Sequence, residues 1–289
     1  MKKANVLIIL SVIFLVLFSC TKNSMNNQSN GILTTKSETE DTSNQIVQYT
    51  RSFTGKAFDD TPEFKFVING YSDNDYVCHA NKIEIIEAIN NKKIQEMNFD
   101  DTDIFLSYNK TLGFRLTDLN FDGYKDIMFL SASVNAKANH LYYCWLWDKN
   151  SQRFVENKSF SDIFNPAIDR KNKQLLSIVA NSAGSHTWGM YIFSDGKFVL
   201  SNELTEELLY DEMNTNKPKW HYTESKLENG TMTVIKDFTS IDNTNMQVKQ
   251  YHDENSFWGL DSKKWYMSDY GSGLNDEKTS NDLGLKFEE

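Results

Sequence analysis

The sequence is poor in several features that define other classes of protein. Of 289 residues only 3 are proline and 13 are glycine, which excludes collagen-like and other low-complexity chains. Basic residues are also in deficit, because 30 Lys and Arg face 40 Asp and Glu and leave a formal charge of -10. A surface that wraps nucleic-acid phosphates is therefore not expected, whereas cations and basic protein partners are favoured.

The chain also has no apolar run of about 20 residues, the length of an ordinary membrane-spanning helix. Its N-terminal run, residues 6–18, is preceded by Lys2 and Lys3 and followed by Ser19 and Cys20. This pattern predicts a signal peptide over residues 1–19, and Leu-Phe-Ser-Cys resembles a bacterial lipobox, which implies cleavage before Cys20 and acylation of its thiol. The alternative is a plain secretory signal.

The segment after Cys20 is almost entirely polar. We expect residues 20–50 to form a lipidated cysteine and a flexible tether. No Asp follows Cys20, which favours the outer membrane, facing the periplasm. The mature chain would keep 28 basic and 40 acidic residues, a formal charge of -12.

Cysteine is scarce, with only 3 residues. Once Cys20 is acylated, Cys78 and Cys144 remain, and in an oxidising compartment they could form a disulfide. Each also lies in an apolar, strand-like stretch, where a free cysteine packs as a small hydrophobic residue. Both alternatives stay open from the sequence.

Aromatic residues are abundant, at 13%, and their spacing predicts strands. Phe64, Phe66 and Ile68 alternate with other residues before Asn69-Gly70, which we expect to be a turn. Three hairpins are predicted further on, with turns at residues 148–151, 194–197 and 229–230. Trp147 and Phe193 lie 46 residues apart in two of them, near the length of one propeller blade.

We therefore expect an all-β fold, a small β-propeller-like array of antiparallel hairpins over residues 51–268, followed by a C-terminal tail at 269–289. The alternative architecture is an irregular β-sandwich. Residues 84–94 and 204–213 could instead be short helices.

The strongest chemical motif is the loop Asp118-Leu119-Asn120-Phe121-Asp122-Gly123-Tyr124-Lys125-Asp126. It fits D-x-N-x-D-G-x-x-D, which predicts a Ca²⁺ site whose ligands are the side chains of Asp118, Asn120, Asp122 and Asp126 with the carbonyl of Tyr124. Position 12 is Phe129 instead of the EF-hand Glu, and the flanks look like strands. We expect a calcium loop within a sheet; the alternative is a plain turn with solvated carboxylates.

Motifs for catalysis are lacking. The five histidines have no H-E-x-x-H or paired metal spacing, and no G-x-S-x-G elbow accompanies them. We therefore expect no enzymatic activity and no catalytic residue.

Residues 118–130, 141–157 and 164–200 together resemble a family of lipoprotein immunity proteins. The resemblance covers about residues 110–202, with the segments DLNFDGYKDIMFL, LYYCWLWDKNSQRFVEN and FNPAIDRKNKQLLSIVANSAGSHTWGMYIFSDGKFVL. These proteins neutralise peptidoglycan-cleaving effectors of an antibacterial type IV secretion system. The resemblance implies a lipid-tethered, calcium-containing, propeller-like domain that plugs the active site of a lysozyme-like hydrolase.

The resemblance also implies a partner-binding hairpin. Periplasmic lysozyme inhibitors insert a loop resembling S-G-x-x-Y, and the matching stretch here has one extra residue and a Trp in place of Tyr. Its candidate binding residues are Ser182, Gly184, Ser185, His186 and Trp188. The alternative for Trp188 is a core position within its strand.

The predicted function is thus a lipid-anchored periplasmic inhibitor whose acidic surface steers it to a basic hydrolase. The alternatives are an outer-membrane lipoprotein that binds glycan or another envelope partner through exposed aromatic residues, and an enzyme.

Overall fold

The chain forms three antiparallel sheets that follow one another in sequence. The computed structural model describes residues 47–74, 77–99, 105–106, 113–134, 139–209, 219–241, 245–265 and 286–287. The predicted signal peptide, Cys20 and most of the tether and C-terminal tail lie outside these residues. In the described part, no helix has the length and hydropathy needed to cross a membrane.

The first sheet is built from long strands with one apolar face. Phe64, Phe66 and Ile68 are buried as their alternation predicts, and Ile83 and Ile85 of the next strand are buried beside them. The strands are β1 (Val47–Gly55), β2 (Phe64–Asn74), β3 (Val77–Glu87), β4 (Lys92–Asn98) and β5 (Phe105–Leu106).

The turn predicted at Asn69-Gly70 is wrong, because β2 continues through both residues. A Cβ at Gly70 would collide with the His79 carbonyl and the Tyr49 hydroxyl, which itself donates to that carbonyl at 2.8 Å. The glycine thus permits a close approach of neighbouring strands and does not mark a turn.

The second sheet carries the predicted calcium loop. Its strands are β6 (Phe114–Thr117), β7 (Asp126–Val134), β8 (Asn139–Asp148) and β9 (Arg153–Glu156). Both faces of β7 are buried, because the sheet lies between the apolar clusters of its two neighbours. The strands predicted on both sides of the loop are confirmed.

The third sheet contains the predicted inhibitory hairpin. Its strands are β10 (Ala167–Asp169), β11 (Gln174–Ser182), β12 (Ser185–Ser194), β13 (Lys197–Leu209), β14 (Lys219–Glu228) and β15 (Thr231–Ser240). The turns at Asp195-Gly196 and Asn229-Gly230 have positive φ at both residues, as tight two-residue hairpins require. The hairpins predicted there are confirmed.

The short helices suggested by the sequence are wrong. Residues 84–94 belong to β3, a turn and β4, and β13 runs through Leu209. Cross-strand pairing and the burial of alternate apolar side chains override the weak helical pattern. Residues 210–213 lie outside the described part. The helices observed are α1 (Met246–His252) and two 3₁₀ turns (Lys158–Phe160 and Lys263–Trp265).

Three apolar clusters hold the sheets together. One cluster joins the first and second sheets through residues such as Phe66, Phe114 and Trp147. Another joins the second and third sheets through Cys144, Phe160 and other residues. The last covers the other face of the third sheet with α1 and the segment around residues 258–265.

The architecture confirms the all-β prediction. The three antiparallel sheets are built mainly from strands that are neighbours in sequence, so the chain is an array of antiparallel hairpins. A short strand near the C-terminus, β16 (Lys286–Phe287), pairs with β1 of the first sheet. The two ends of the domain therefore meet in one sheet.

Cys144 is a free, buried thiol, as the packing alternative predicts. Burial raises the pKa of this thiol well above its ordinary value, and the nearby charge of Asp126 adds to the shift. The side chain of Cys78 lies outside the described part.

Candidate calcium loop and inhibitory hairpin

The predicted calcium loop connects β6 to β7 and folds around the side chain of Asp118. Phe121 and Gly123 both have positive φ, at 62° and 93°, which lets the chain reverse sharply. Asp118 Oδ2 accepts a hydrogen bond from the Gly123 backbone N–H at 3.0 Å. Asn120 Oδ1 and Asp122 Oδ1 accept from backbone N–H groups two residues further on, at 3.2 and 2.8 Å. The loop is thus ordered by its own side chains.

One oxygen of Asp118 has no hydrogen-bond partner in the described part of the chain. Its Oδ1 atom is buried and accepts no hydrogen bond from the described residues. Burial raises the pKa of Asp118; hydrogen bonds from the Gly123 and Phe121 backbone partly oppose this, and the charge of Asp122 reinforces it. A cation beside Oδ1 would satisfy this oxygen and relieve the repulsion.

Asp126 has a different position from the one its motif suggests. Its side chain is fully buried, and its two oxygens accept from the Leu119 and Trp147 backbone N–H groups at 2.8 and 2.9 Å. Burial raises its pKa to about 7, although these bonds oppose the shift and the charges of Asp122 and Asp118 add to it. Through these two hydrogen bonds, Asp126 links the loop to the end of β8.

The loop fits a cation in part. Within the described residues, no three His, Cys, Asp or Glu side chains are grouped as a metal centre would need. Asp118, Asn120 and Asp122 supply oxygens from one tight loop. Both oxygens of Asp122, like both oxygens of Asp126, accept hydrogen bonds from protein groups. The ring of Tyr124 packs on Phe58, with centroids 4.9 Å apart. The predicted ligand set, including the Tyr124 carbonyl, stays a prediction.

The candidate inhibitory hairpin is formed by β11 and β12, with Ala183 and Gly184 at its turn. Ser182 and Ala183 are exposed, while Gly184, Ser185 and His186 are half-buried. The Ser182 hydroxyl oxygen accepts from the Gly184 N–H at 3.2 Å, which leaves its own O–H free to donate. The hairpin therefore ends in an exposed hydroxyl whose oxygen is held in place.

Gly184 fixes the tip against the neighbouring strand. Its carbonyl accepts from the Leu208 backbone N–H at 2.6 Å, and an added Cβ would lie 2.7 Å from the Leu208 Cβ. Any larger residue would push the tip away from β13. The predicted binding role of Gly184 thus coincides with a packing requirement.

The structure corrects the prediction that Trp188 is an interface anchor. Its side chain is 7% exposed and packs in the cluster beneath α1 with Met190 and Leu204. Alternation along β12 directs Trp188 to the core face. The alternative, a core role, is the one that the structure shows.

An acidic flank that no sequence motif predicts lies beside the hairpin. Glu206 and Glu207 of β13 are paired in register with His186 and Ser185. Glu206 accepts from the Tyr222 hydroxyl at 2.9 Å and lies 3.4 Å from His186 Nδ1, while Glu207 is exposed. Nothing in the local sequence marks these two carboxylates, because only the strand register brings them to the hairpin.

A groove that no sequence motif marks lies between β4 and β9, which are edge strands in the described part of the chain. Its volume is about 580 Å³, and its aromatic lining consists of Phe99, Tyr143, Trp145 and Phe154. The side-chain amide of Gln95 links β4 to β9 at the groove. It donates to the Phe154 carbonyl at 2.7 Å and accepts from the Phe154 backbone N–H at 3.1 Å. These residues are too far apart in the chain to form a motif.

Comparisons with known proteins give a limited result. No family model matches the chain, and no curated protein matches it. A solved structure described as that of a Xanthomonas type IV secretion system related protein is similar in part, with a TM-score of 0.45 and 18% identity. The match covers 65% of this chain and 99% of that one.

Proposed function

We propose that this protein is a lipid-anchored periplasmic inhibitor that binds and blocks a lysozyme-like peptidoglycan hydrolase, as an immunity protein does. Cys20 would attach it to the outer membrane. The observation that carries the proposal is the tip of the β11–β12 hairpin, which presents the Ser182 hydroxyl on an ordered turn.

The tip is suited to insertion into an enzyme cleft because it is already ordered. The bond from Leu208 to the Gly184 carbonyl and the tight contact of Gly184 with β13 hold its backbone. An ordered loop loses little conformational entropy when it binds, so more of the contact energy appears as affinity.

The chemistry of the tip is complementary to the active site of a muramidase. Such enzymes use a pair of carboxyl groups on either side of the glycosidic bond. The free O–H of Ser182 can donate to one of these carboxylates, and the narrow turn at Ala183-Gly184 allows close approach. In this proposal the protein supplies no catalytic group of its own.

Charge supports association with a basic hydrolase. Glu206 and Glu207 lie next to the hairpin, and the mature chain would carry a formal charge of -12. Complementary charge accelerates encounter more than it slows dissociation. The acidic flank would therefore direct the hairpin toward the enzyme.

We propose that Ca²⁺ has a structural role in the second sheet. Asp118, Asn120 and Asp122 would hold the ion, and Asp118 Oδ1 supplies a buried oxygen without a hydrogen-bond partner among the described residues. The ion would neutralise the negative charges of the loop. It would take no direct part in inhibition, because the inhibitory hairpin belongs to the third sheet.

The test is inhibition of a purified lysozyme-like muramidase by the wild type and two pairs of variants. Ser182→Ala should weaken inhibition about tenfold, the effect of losing one hydrogen bond to a charged group. Its control is Ser194→Ala, an exposed serine at the opposite end of β12. Glu207→Gln should slow association, while Glu228→Gln at the far end of the sheet should not. If Ser182→Ala inhibits the muramidase as strongly as the wild type does, the hairpin is not part of the interface.

A second candidate function is glycan binding, which the groove between β4 and β9 favours. Stacked aromatic rings with polar groups at the rim suit a sugar ring, and Phe99 lies 5.9 Å from Tyr143 between ring centroids. Retention of the protein during electrophoresis through a glycan-containing gel, lost on Phe99→Ala, would support this candidate over inhibition.

A further inference from the structure

A cleft in the third sheet collects positive charge in a protein that is acidic overall. Its volume is about 860 Å³, and it lies between the β10–β11 turn and the loop that precedes Lys264. Arg170 and Lys171 come from the turn, and Lys264 comes from the last 3₁₀ helix. The cleft shares no lining residue with the calcium loop or the inhibitory hairpin.

None of these three cations is neutralised by contact with an acid. In the described part of the chain, none of them forms a salt bridge. The Lys264 ammonium donates to the Phe257 carbonyl at 3.1 Å, and Arg170 Nη2 donates to the Thr117 hydroxyl at 2.8 Å. Burial lowers the pKa of Lys264, and the charge of Asp169 opposes the shift.

The acids of the cleft, Asp169 and Glu254, offset only part of the charge of the three cations. Asp169 already accepts three hydrogen bonds, from the Asn172 backbone N–H at 3.1 Å, the Asn172 amide at 2.7 Å and the Gln174 amide at 3.1 Å. Burial alone would raise the pKa of Asp169, but these bonds and the charge of Lys264 lower it. Asp169 is thus hydrogen-bonded within its own turn. Glu254 is exposed at the rim.

The cleft therefore has more hydrogen-bond donors than acceptors. An ammonium has three N–H donors and a guanidinium has five. Toward the described residues, Arg170 and Lys264 each donate one side-chain hydrogen bond, so most of their donors are available to a ligand. Asn255 adds a side-chain amide without a hydrogen-bond partner among the described residues. A ligand with several anionic oxygens would match these donors from both walls at once.

We propose that this cleft binds a phosphate group, carried either by an envelope lipid or by a soluble molecule, through Arg170, Lys171 and Lys264. A phosphate has enough acceptor oxygens to contact both the β10–β11 turn and the opposite wall, whereas a single carboxylate has two. Phe257, 60% exposed at the mouth, offers an apolar surface to the rest of the ligand. This inference is independent of the proposed inhibitory function.

Binding is measured by calorimetry on the secreted chain carrying Cys20→Ala, so that no acyl group contributes. The probes are inorganic phosphate at constant ionic strength, and vesicles of phosphatidylcholine with or without phosphatidylglycerol. Lys171→Gln should weaken binding of the effective probe about tenfold. Lys171 is exposed and forms no hydrogen bond or salt bridge with the described residues, so this variant should fold normally. Asn255→Ala is a second variant, and it removes no charge.

The control is Lys226→Gln, which removes one charge from an exposed site on β14 outside the cleft. If inorganic phosphate binds, and Lys171→Gln weakens this binding while Lys226→Gln does not, the proposal is supported and the phosphate group belongs to a soluble molecule. If the protein binds vesicles only when they contain phosphatidylglycerol, and Lys171→Gln weakens this binding, the proposal is supported and the phosphate group belongs to a lipid. If neither probe binds, or if Lys226→Gln weakens binding as much as Lys171→Gln, the proposal is wrong. Muramidase inhibition, measured on the same variants, should not change.

Discussion

Replacing Trp188 with alanine tests the assignment of this residue to the core. The side chain is 7% exposed, and its ring lies 5.7 Å from that of His186 and packs among the apolar residues beneath α1. Truncation of a buried Trp costs about 3 to 5 kcal/mol, because burial is lost and a cavity is left. Domains are typically stable by about 5 to 15 kcal/mol, so the variant would lose a large part of its stability.

The measurement is urea unfolding followed by circular dichroism, with the slope compared between wild type and variant. We expect the midpoint to fall strongly with little change of slope, and the folded fraction of Trp188→Ala to inhibit a muramidase as wild type does. Ser182→Ala is the matched control and should change stability by less than about 0.5 kcal/mol. A stable Trp188→Ala that no longer inhibits would refute the core assignment and restore Trp188 as an anchor.

Three further predictions concern the anchor, the loop and a buried carboxylate. Cys20→Ala should abolish acylation and shift the protein to the aqueous phase in detergent partitioning; unchanged partitioning would contradict lipidation. Ca²⁺ at about a hundred times its dissociation constant should stabilise the fold by about 2.7 kcal/mol. Thermal scans should show this gain lost on chelation or in Asp122→Ala, and identical wild-type scans with calcium and with chelator would leave the loop a plain turn. Glu224→Ala should lower the free energy of unfolding by about 2 to 5 kcal/mol, because the buried donors of Tyr251 and Trp258, each 2.9 Å from the carboxylate, lose their acceptor. Urea unfolding checks this against Glu228→Ala on the exposed end of the same strand, and equal effects would contradict it.

The sequence by itself determined the class of fold and the local reversals of the chain. Alternation of Phe64, Phe66 and Ile68 predicts a half-buried strand, because side chains in a strand point to opposite faces. Asp195-Gly196 and Asn229-Gly230 predict tight hairpins, because these residues accept positive φ at little cost. The D-x-N-x-D-G motif predicts the loop between β6 and β7 for the same local reason.

Tertiary structure alone decided what the individual side chains do. Gly70 resembles a turn residue in sequence, yet it lies within a strand because Tyr49 and the His79 carbonyl leave no room for a Cβ. Asp126 matches a ligand position of the calcium motif, and tertiary contacts give its oxygens backbone N–H donors that include Trp147, which is remote in sequence. Strand register brings Glu206 beside His186, and packing of separate loops brings Lys264 to Arg170. Such juxtapositions depend on contacts between distant segments, and a local pattern of residues does not encode them.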